Sequence, residues 1–519
     1  MAGVRPAAAL RLDGAASLDA RAVLAIGRGE LAPSLSDGLA RRLDERRARM
    51  LAALDGAGPV YGVTTGMGAL STHELPEPAR AGQSEALMTA RSVGGPPWLS
   101  PAETRAVLAT RLRSFLNGDA AVSARLCVRL AESIRLGVLP ALPGRPMGVA
   151  GEIVGLAHLG AALLGTGDVL AMGTAAAPEA STVLAGRSGP AGRSGPAWET
   201  MPASQALSQA GLAPLRLGPK EGVALIQGVP MMTALAVLAA ADARRVLGHA
   251  VTVVAAEFAV AGAARDVLDA RLARGDVILA GITARLRGLA GPVARPRALQ
   301  PPVSFRAAPQ VLAHLDRMIG AVDAAASRAL DGVSDSPAFL DGQFVGSAGF
   351  YGYDLAVHLH ALTVALIGVA ELGVSRLHRL LDPAVSGLNT QLSARPGPQA
   401  GLSPVHKRAV GVAHELRRQG LPSVIGPVEA SAGQEDAQSF SLEAAQSCRI
   451  ALDGATEVLA CEVLAIHQAR CLGAPASAVP LGTPPLRAEL DTLTAGLPGS
   501  AQDRPWGRDI ERLRERLSG

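Results

Sequence analysis

The sequence predicts an all-α fold, and three observations support that prediction. Apolar residues recur at the three- and four-residue spacing of helices that pack one face against a core. Alanine, leucine and arginine, which favour helices, are abundant. No series of short alternating segments occurs at the spacing of a β-sandwich or barrel. A chain of 519 residues is long enough for two or three domains, or for one long helical assembly.

The clearest helical patterns justify the expected elements in chain order. Three tracts lie in the N-terminal part of the chain, and the others are longer on average and lie in its central part. The longest tracts predict helices that can form the core of a large bundle. The predicted helices cover residues 102–116, 120–135, 153–164, 220–264, 316–327, 354–381 and 441–470.

Glycine and proline clusters mark the expected breaks between these helices. A tandem Gly-Arg-Ser-Gly-Pro-Ala repeat at 186–197 predicts a flexible surface loop before the long central helices. After about residue 480 the chain becomes proline-rich and then charged, which is typical of a terminal helical cap. We therefore expect a mainly helical N-terminal domain over 1–200, a central long-helix bundle over 201–480 and a C-terminal helical cap over 481–519.

The hydrophobic content of 49% and the mean hydropathy of +0.26 raise the question of membrane helices. The apolar runs are interrupted by charged or polar groups, Glu257 in one and His358, His360 and Glu371 in another. Such runs favour buried helices of a bundle over lipid-spanning ones. The N-terminus lacks the apolar core of a secretory signal, so we expect a cytoplasmic protein with no membrane partner.

Charge and cysteine content exclude other classes of protein. The formal net charge is only +4, and basic residues alternate with acidic ones, as at 41–47, which indicates a solvated helix face and no nucleic-acid partner. Asp354 and His358 lie one helical turn apart, but a third ligand is missing, so we predict no metal site. The cysteines have irregular spacing that gives neither a disulfide framework nor a zinc site. They are Cys127, Cys448, Cys461 and Cys471.

Residues 148–158 carry the most informative motif, Gly-Val-Ala-Gly-Glu-Ile-Val-Gly-Leu-Ala-His. It resembles the Gly-Ala-Ser-Gly-Asp-Leu-Ala-Pro-Leu-Ala-His segment of the aromatic amino acid ammonia-lyase family, which includes histidine, phenylalanine and tyrosine ammonia-lyases and related aminomutases. There the Ala-Ser-Gly tripeptide cyclises and loses water to form 4-methylideneimidazole-5-one (MIO), an electrophile that captures the substrate. Here Val149, Ala150 and Gly151 occupy the tripeptide, and Ala150 has no hydroxyl to lose. We therefore expect no MIO and no other cofactor.

Further motifs follow in the family's order, from Tyr61 to about Arg470. Residues 61–68 resemble Tyr-Gly-Val-Asn-Thr-Gly-Phe-Gly, a loop whose glycines suit a mobile lid. Residues 220–228, 304–311 and 430–436 resemble three more family segments. Their joint order and spacing identify the chain as a divergent member of the family. The resemblance implies an all-α fold of the ammonia-lyase/fumarase-aspartase-like type and a homotetramer in which several subunits build each site.

The departures from the family pattern concentrate on groups that make or surround the electrophile. Asparagines of the family are replaced at three places, a second tyrosine is replaced by an aliphatic residue, and the histidine after Gln-Glu-Asp is lost. These positions are Gln227, Ser336 and Gly349 for the asparagines, Val303 for the tyrosine and Ala437 for the histidine.

The resemblance also assigns roles to the residues that persist. Tyr61 and Glu435 are the catalytic candidates, the first for proton transfer and the second to accept a proton or bind an amine. Arg306 is the candidate for bidentate binding of a substrate carboxylate. The other substrate-binding candidates are Gln434, Gln227 and Gly68. Each main candidate has a structural alternative: a packed loop tyrosine for Tyr61, and structural ion pairs for Arg306 and Glu435.

Backbone groups offer one further source of catalysis. If residues 148–151 form a turn that enters a helix at Glu152, their N–H groups are placed to stabilise an enolate-like carboxylate without MIO. The alternative is a relic turn that does not touch the substrate.

These observations lead to one main hypothesis and two alternatives. The main hypothesis is an MIO-independent enzyme that catalyses acid/base elimination, or the reverse addition including cyclisation, β to a carboxylate on an amino-acid-derived or specialised-metabolite substrate. The first alternative is a non-catalytic scaffold or binding relative. The second is a genuine aromatic amino acid ammonia-lyase with an unforeseen prosthetic group.

Overall fold

The computed structural model of the protein describes residues 7–171, 198–426, 428–472 and 482–519. The fold is mostly helical, as predicted. In chain order the helices are α1 Ala20–Gly27, α2 Asp37–Asp55, α3 Glu77–Arg91, α4 Pro101–Leu116, α5 Ala124–Leu136, α6 Ile153–Leu164, α7 Ala203–Gln209, α8 Glu221–Ile226, α9 Pro230–Val260, α10 Val277–Ala290, α11 Val303–Arg306, α12 Ala308–Asp331, α13 Tyr353–Leu380, α14 Pro383–Ser386, α15 Ser403–Leu416, α16 Ser441–Leu472, α17 Pro484–Thr494 and α18 Trp506–Ser518.

In the described ranges, three small two-stranded sheets accompany the helices. Parallel strands β1 (Ala8–Leu12) and β2 (Leu31–Leu35) pair with Leu10 opposite Pro33. The antiparallel pairs are β3 (Asp168–Leu170) with β4 (Thr200–Pro202), and β5 (Ala338–Leu340) with β6 (Gln343–Val345). These strands are too short for the sequence pattern to distinguish them from loops.

The predicted single helix over 220–264 is wrong in one respect, because the chain breaks between α8 and α9. Gln227 is extended, with ψ 154°, and Gly228 has φ +88°, a left-handed conformation that glycine adopts without strain. Pro230 then begins α9, where its missing N–H costs no intrahelical hydrogen bond.

The helix predicted over 120–135 begins later than expected. Ala121 has φ 48°, and α5 begins at Ala124. The tandem repeat at 186–197 lies outside the described residues.

The chain divides into two compact units that are not continuous in sequence. The first unit comprises Met1–Ala239, Val322–His360 and Pro422–Gln446, and the second comprises Ala240–Ala321, Ala361–Leu421 and Ser447–Gly519. The predicted boundaries at 200 and 480 remain a prediction. Helices α17 and α18 do follow residue 480, as expected for the C-terminal part.

Close helix packing in the first unit depends on two glycines of α6. A Cβ at Gly160 would lie 2.0 Å from Sδ of Met88 on α3, and a Cβ at Gly155 would lie 2.3 Å from Sδ of Met231 on α9. Real side chains do not approach this closely, so a Cβ at either position would force the buried methionine side chain to move. This packing fixes α3 and the first turn of α9 against α6, the helix that follows residues 148–151.

The second unit contains a buried ion-pair triad in its core. Arg376 on α13 donates from Nε to Glu257 at 2.5 Å and from Nη2 to Glu462 at 2.7 Å. All three side chains are at most 2% exposed. Charges so completely removed from water are tolerated only when they are paired and hydrogen-bonded.

Two helical tracts in the described part of the chain are long and apolar enough to cross a membrane by length and composition alone. They are Glu221–Val260, whose most apolar window is wholly buried within the protein, and Tyr353–Leu380, whose corresponding window is 56% buried. Core helices of large bundles have the same composition.

Candidate active site

The Tyr61 loop is a compact turn held by hydrogen bonds between its own side chains and backbone N–H groups. The half-buried Tyr61 accepts a hydrogen bond at its phenol oxygen from the backbone N–H of Gly68, at 2.8 Å. The hydroxyl of Thr64 accepts from the N–H of Val60 at 2.8 Å. Gly62 and Gly68 have φ +68° and +60°, so glycine is needed here for the turn itself. The predicted mobility of the loop remains a prediction.

Residues on α3 and in the segment at 430–435 form hydrogen bonds with this loop. The side-chain amide of Gln83 donates to the carbonyls of Gly62 and Thr65, at 3.1 and 3.2 Å. The hydroxyl of Ser431 accepts from the N–H of Ala69 at 3.2 Å. Sequence reasoning did not single out Gln83 or Ser431, because neither type of residue has a chemical signature of its own.

The 430–435 segment in turn holds Glu435 in a fixed position. Its ends are bridged by a hydrogen bond from Ala430 N–H to the Glu435 carbonyl at 2.8 Å. The buried Gln438 donates to the same carbonyl at 2.9 Å. Gln434, the neighbouring substrate-binding candidate, has an exposed side chain. Ser431 and Ala432 both have φ 53°, a left-handed conformation that costs non-glycine residues about 1–2 kcal/mol each.

The turn at 148–151 meets Glu435 directly. The backbone N–H of Ala150 donates to Oε2 of Glu435 at 2.6 Å. Gly151 has φ +91°, and a Cβ there would lie 3.2 Å from the carbonyl oxygen of Phe350. The Ala150 N–H, which the sequence analysis expected to stabilise an enolate-like carboxylate, thus donates here to a carboxylate of the protein itself. The side chains of the tripeptide are the isopropyl group of Val149 and the methyl group of Ala150, both of which are apolar.

The residues of this turn do not fit the MIO group of the family. The methylidene carbon of MIO comes from a serine side chain that loses its hydroxyl. Ala150 has a methyl group, which cannot be expelled as water. No other residue can supply the missing oxygen atom, because the leaving hydroxyl must be attached to the central residue of the tripeptide.

Glu152 anchors the turn to the start of α9. Its buried carboxylate accepts from the N–H groups of Met231 and Met232, at 2.6 and 2.7 Å, and from the hydroxyl of Ser441 at 3.4 Å. Burial raises the pKa of Glu152 to about 7. The two N–H groups belong to the first turn of α9 and have no partner within the helix, so Glu152 satisfies donors that would otherwise be lost.

Gln227 lies in the break between α8 and α9, and its carbonyl is fixed by a buried arginine. Arg111 donates to the carbonyls of Ala224 and Gln227, at 2.5 and 2.7 Å. Burial lowers the pKa of Arg111 to about 10. The side chain of Gln227 is buried, at 6% exposure, so it belongs to the interior of the unit.

Arg91, at the C-terminal end of α3, is a functional candidate that the sequence analysis missed. Burial lowers the pKa of its guanidinium, and electrostatic interaction with the nearby Tyr61 and Glu435 opposes this by a smaller amount. The side chain is half-buried, and within the described ranges no group forms a hydrogen bond or ion pair with its guanidinium. A charge removed from water usually has an anionic partner. Arg91 is thus available to an anionic ligand.

Arg306, the predicted carboxylate-binding residue, lies in the second unit at the end of α11. Its Nη1 donates to the side-chain oxygen of Gln300. Its Nε is buried and has no hydrogen-bond partner among the described residues. The structure therefore brings together Tyr61, Gly68, Glu435 and residues 149–151 in the first unit. Arg306 belongs to the second unit.

Two other predicted features have structural roles. A Cβ at Gly349 would lie only 1.9 Å from the carbonyl oxygen of Val333, so an asparagine cannot be accommodated there without a backbone shift. Asp354 pairs with Arg328 at 2.6 Å, and His358 is hydrogen-bonded to the Asp354 carbonyl at 2.7 Å. The described residues contain no group of three or more potential metal ligands from histidine, cysteine, aspartate and glutamate.

Known proteins resemble this chain in both sequence and fold. Histidine ammonia-lyase from Aromatoleum aromaticum is 31% identical over 486 residues, which cover 91% of this chain and 87% of that protein. Histidine ammonia-lyase from Anaeromyxobacter dehalogenans is 29% identical and covers 97% of each chain.

Among solved structures, an ergothionase from Treponema denticola has a TM-score of 0.85 at 22% identity and covers 98% of both chains. A histidine ammonia-lyase from Trypanosoma cruzi has a TM-score of 0.84 at 22% identity, with 98% of this chain and 93% of that chain covered. These two likenesses show the fold. The family described as aromatic amino acid lyase matches residues 18–492, and the chain therefore belongs to the aromatic amino acid lyase family.

Proposed function

We propose that the protein is an MIO-independent lyase that catalyses elimination, or the reverse addition, β to a carboxylate. One observation carries the proposal. The central residue of the tripeptide is Ala150, whose side chain cannot become the electrophile and whose N–H instead donates to Glu435 at 2.6 Å. This chain retains the ionisable residues Tyr61 and Glu435 of the family motifs in the first unit, but the side chain that would form the electrophile is missing.

The arrangement around Tyr61 supports acid/base chemistry. The phenol oxygen accepts a hydrogen bond from Gly68 N–H at 2.8 Å, which fixes its position. Arg91 supplies a positive charge near both Tyr61 and Glu435. A substrate carboxylate would be attracted to that charge.

In the proposed elimination, Tyr61 removes a proton from the carbon β to the substrate carboxylate. The electron pair of that C–H bond forms the carbon–carbon double bond, and the leaving group departs from the neighbouring carbon with its bonding pair. Glu435 lies on the side of residues 149–151, where it can bind an amine or exchange a proton with the leaving group. Addition follows the same path in reverse.

The proposal limits the substrate. Without an electrophile, the enzyme must act on a compound whose β-proton is already acidic or whose leaving group is better than ammonia. Free histidine, phenylalanine and tyrosine meet neither condition well enough. An amino-acid-derived or specialised metabolite with a carboxylate remains the proposed substrate class. Arg306 is kept as a second proposed carboxylate ligand, on the resemblance alone.

The first test is incubation with histidine, phenylalanine and tyrosine while urocanate and cinnamates are followed by absorbance. We expect no product above a blank without enzyme. Robust turnover of any of the three would overturn the proposal. A histidine ammonia-lyase from one of the relatives serves as the positive control for the assay.

The second test uses the N-trimethyl derivatives of the same amino acids, because trimethylamine leaves more readily than ammonia. We expect turnover of at least one such compound, or of another activated carboxylate in a wider panel. The matched control is Tyr61→Phe, which keeps the ring but removes the phenol oxygen and should lose activity while remaining folded. Turnover that Tyr61→Phe leaves unchanged would favour a different base.

The same resemblance supports a homotetramer. Light scattering coupled to size-exclusion chromatography should give four times the mass of the chain. A monomer at assay concentration would overturn this part of the proposal without affecting the chemistry assigned to the first unit.

A further inference from the structure

The segment at 430–435 lies between two parts of the candidate site in the first unit. Ser431 contacts the Tyr61 loop, and Glu435 supplies the carboxylate of the site. The ends of the segment are joined by reciprocal backbone hydrogen bonds, from Ala430 N–H to the Glu435 carbonyl at 2.8 Å and from Glu435 N–H to the Ala430 carbonyl at 3.2 Å. The segment is therefore a closed turn that links Ser431 to Glu435.

Ser431 binds the backbone of the loop beside the group that fixes the phenol of Tyr61. The hydroxyl oxygen of Ser431 accepts a hydrogen bond from the N–H of Ala69 at 3.2 Å. The preceding N–H, that of Gly68, donates to the phenol oxygen of Tyr61 at 2.8 Å. Two successive N–H groups of the loop are thus bound by Tyr61 and by Ser431.

The hydroxyl of Ser431 approaches the loop closely. A Cβ at Gly68 would lie 2.3 Å from the Oγ atom of Ser431, so any other residue at this position would force the hydroxyl to move. Gly68 also has φ +60°, a conformation that glycine adopts without strain. The hydroxyl therefore reaches the N–H of Ala69 because residue 68 is glycine.

The backbone conformation of Ser431 is unfavourable for a residue that has a side chain. Ser431 and Ala432 both have φ 53°, in the left-handed region that few residues other than glycine, asparagine and aspartate adopt. Backbone strain of this kind persists only where the surrounding structure imposes it, and it clusters at functional sites. Glycine would adopt the same conformation freely but would lack the hydroxyl that binds Ala69. The serine therefore points to a use for that hydroxyl.

We infer that Ser431 is a positioning residue that sets the place of the Tyr61 phenol relative to the Glu435 carboxylate. The inference rests on the acid/base reaction proposed above and adds the residue that couples its two groups. Without the hydroxyl, the Ala69 N–H loses its acceptor, and this end of the loop loses its hydrogen bond to the 430–435 turn. The rate of a chemical step depends steeply on the placement of the reacting groups, so loss of the hydroxyl slows the reaction more than it weakens substrate binding.

The first test needs no substrate. Amide hydrogen exchange of the full chain is followed by mass spectrometry of peptides that cover residues 62–72. Ser431→Ala should speed exchange of the Gly68 and Ala69 amides by about fivefold or more, as expected when one hydrogen bond is lost. Ser423→Ala is the matched control, because its hydroxyl donates to a carbonyl in its own stretch of chain at 3.0 Å. Unchanged exchange at 62–72 in Ser431→Ala, or equal acceleration in Ser423→Ala, would refute the inference.

The second test separates positioning from stability. Ser431→Gly relieves the positive φ and should unfold at a higher urea concentration than Ser431→Ala, but it also lacks the hydroxyl. For an N-trimethyl amino acid that the wild type converts, both variants should lose about tenfold or more in kcat, with KM within about twofold of wild type. Wild-type kcat in either variant, or a change in KM alone, would rule the inference out. Absence of wild-type turnover would count against the proposed reaction, and the exchange measurement would still decide whether Ser431 fixes the loop.

Discussion

The carboxylate of Glu435 accepts a hydrogen bond from the backbone N–H of Ala150 at 2.6 Å, although 285 positions separate them in sequence. The contact joins the altered tripeptide to a retained ionisable group. A charge-assisted bond to a backbone N–H is short and directional, so it fixes the orientation of Glu435. The turn at 148–151 thus positions Glu435 for whatever chemistry the first unit performs.

Glu435→Gln should separate the charge of this residue from its structural contact. The amide oxygen still accepts from Ala150 N–H, so the free energy of unfolding should change by no more than about 1 kcal/mol. Loss of the carboxylate should reduce turnover of an activated substrate by about 100-fold or more. Urea unfolding and steady-state kinetics measure the two effects. Asp436→Asn, at the exposed neighbouring position, is the control and should keep full activity. Full activity in Glu435→Gln would leave Glu435 with a structural role only.

Arg91→Gln should affect ligand binding and spare the fold. The guanidinium forms no hydrogen bond or ion pair with the described residues, so its loss should change the free energy of unfolding by less than about 1 kcal/mol. The KM for a carboxylate substrate should rise by about tenfold or more, because a charge-assisted contact is lost. Arg80→Gln, at an exposed position of the same helix, controls for the change in net charge. A strongly destabilised Arg91→Gln would show instead that the arginine supports the fold.

The sequence predicts the helices well because their apolar spacing is a local signal. The tract at 153–164 coincides with α6, Ile153–Leu164. The predicted helix over 220–264 missed the break at Gln227 because all the surrounding residues are apolar and suit a helix. Only Gly228 and Pro230 carry the local information that ends α8 and begins α9. The three short sheets lack sufficient length to leave a pattern.

The residues of the candidate site can be predicted from the sequence only where they belong to a recognisable motif. Tyr61, Glu435 and Ala150 came from motifs, and the structure brings them into one unit. Arg91 has no distinctive sequence context, since an arginine in the last turn of a helix also interacts favourably with the helix dipole. Its importance depends on its proximity to Tyr61 and Glu435, which lie far from it in the sequence. Such long-range packing cannot be deduced from one segment.

The intact mass of the purified protein should equal that of the translated chain. Ala150 has no hydroxyl to expel, so maturation of the tripeptide by loss of water has no starting point. Mass spectrometry of the whole chain resolves the loss of a single water. The control is a histidine ammonia-lyase whose tripeptide is Ala-Ser-Gly. A mass lower by one or two waters, localised by peptide mapping to 149–151, would contradict the proposed mechanism.

The buried triad in the second unit should make stability depend on pH. Burial, and then the neighbouring charge of Glu462, raises the pKa of Glu257 well above its usual 4.5. The pKa of Glu462 is raised as well, chiefly by burial. One positive charge on Arg376 balances only one carboxylate. Within the part of the chain that the structure describes, the Oε1 atom of Glu257 and the Oε2 atom of Glu462 receive no other donor. A proton shared by the two carboxyls therefore leaves the triad neutral.

The sign of the effect follows from where the proton is held. In the unfolded chain the carboxyl loses its proton at about pH 4.5, whereas the folded protein keeps the proton to a higher pH because its pKa is raised. The stabilisation is therefore complete below about pH 4.5 and is lost as the pH rises through the pKa of the folded protein. Glu257→Gln carries the hydrogen permanently on its amide. Relative to wild type, its free energy of unfolding should therefore increase with pH above 4.5, by up to about 1.4 kcal/mol per pH unit.

Urea unfolding of the wild type and the variant across this pH range measures the difference between their free energies of unfolding. Taking the difference cancels the pH dependence that comes from the histidines common to both proteins. Glu415→Gln, at an exposed position of α15, should show no such slope. A flat difference for Glu257→Gln would mean that both carboxylates are ionised in the folded protein.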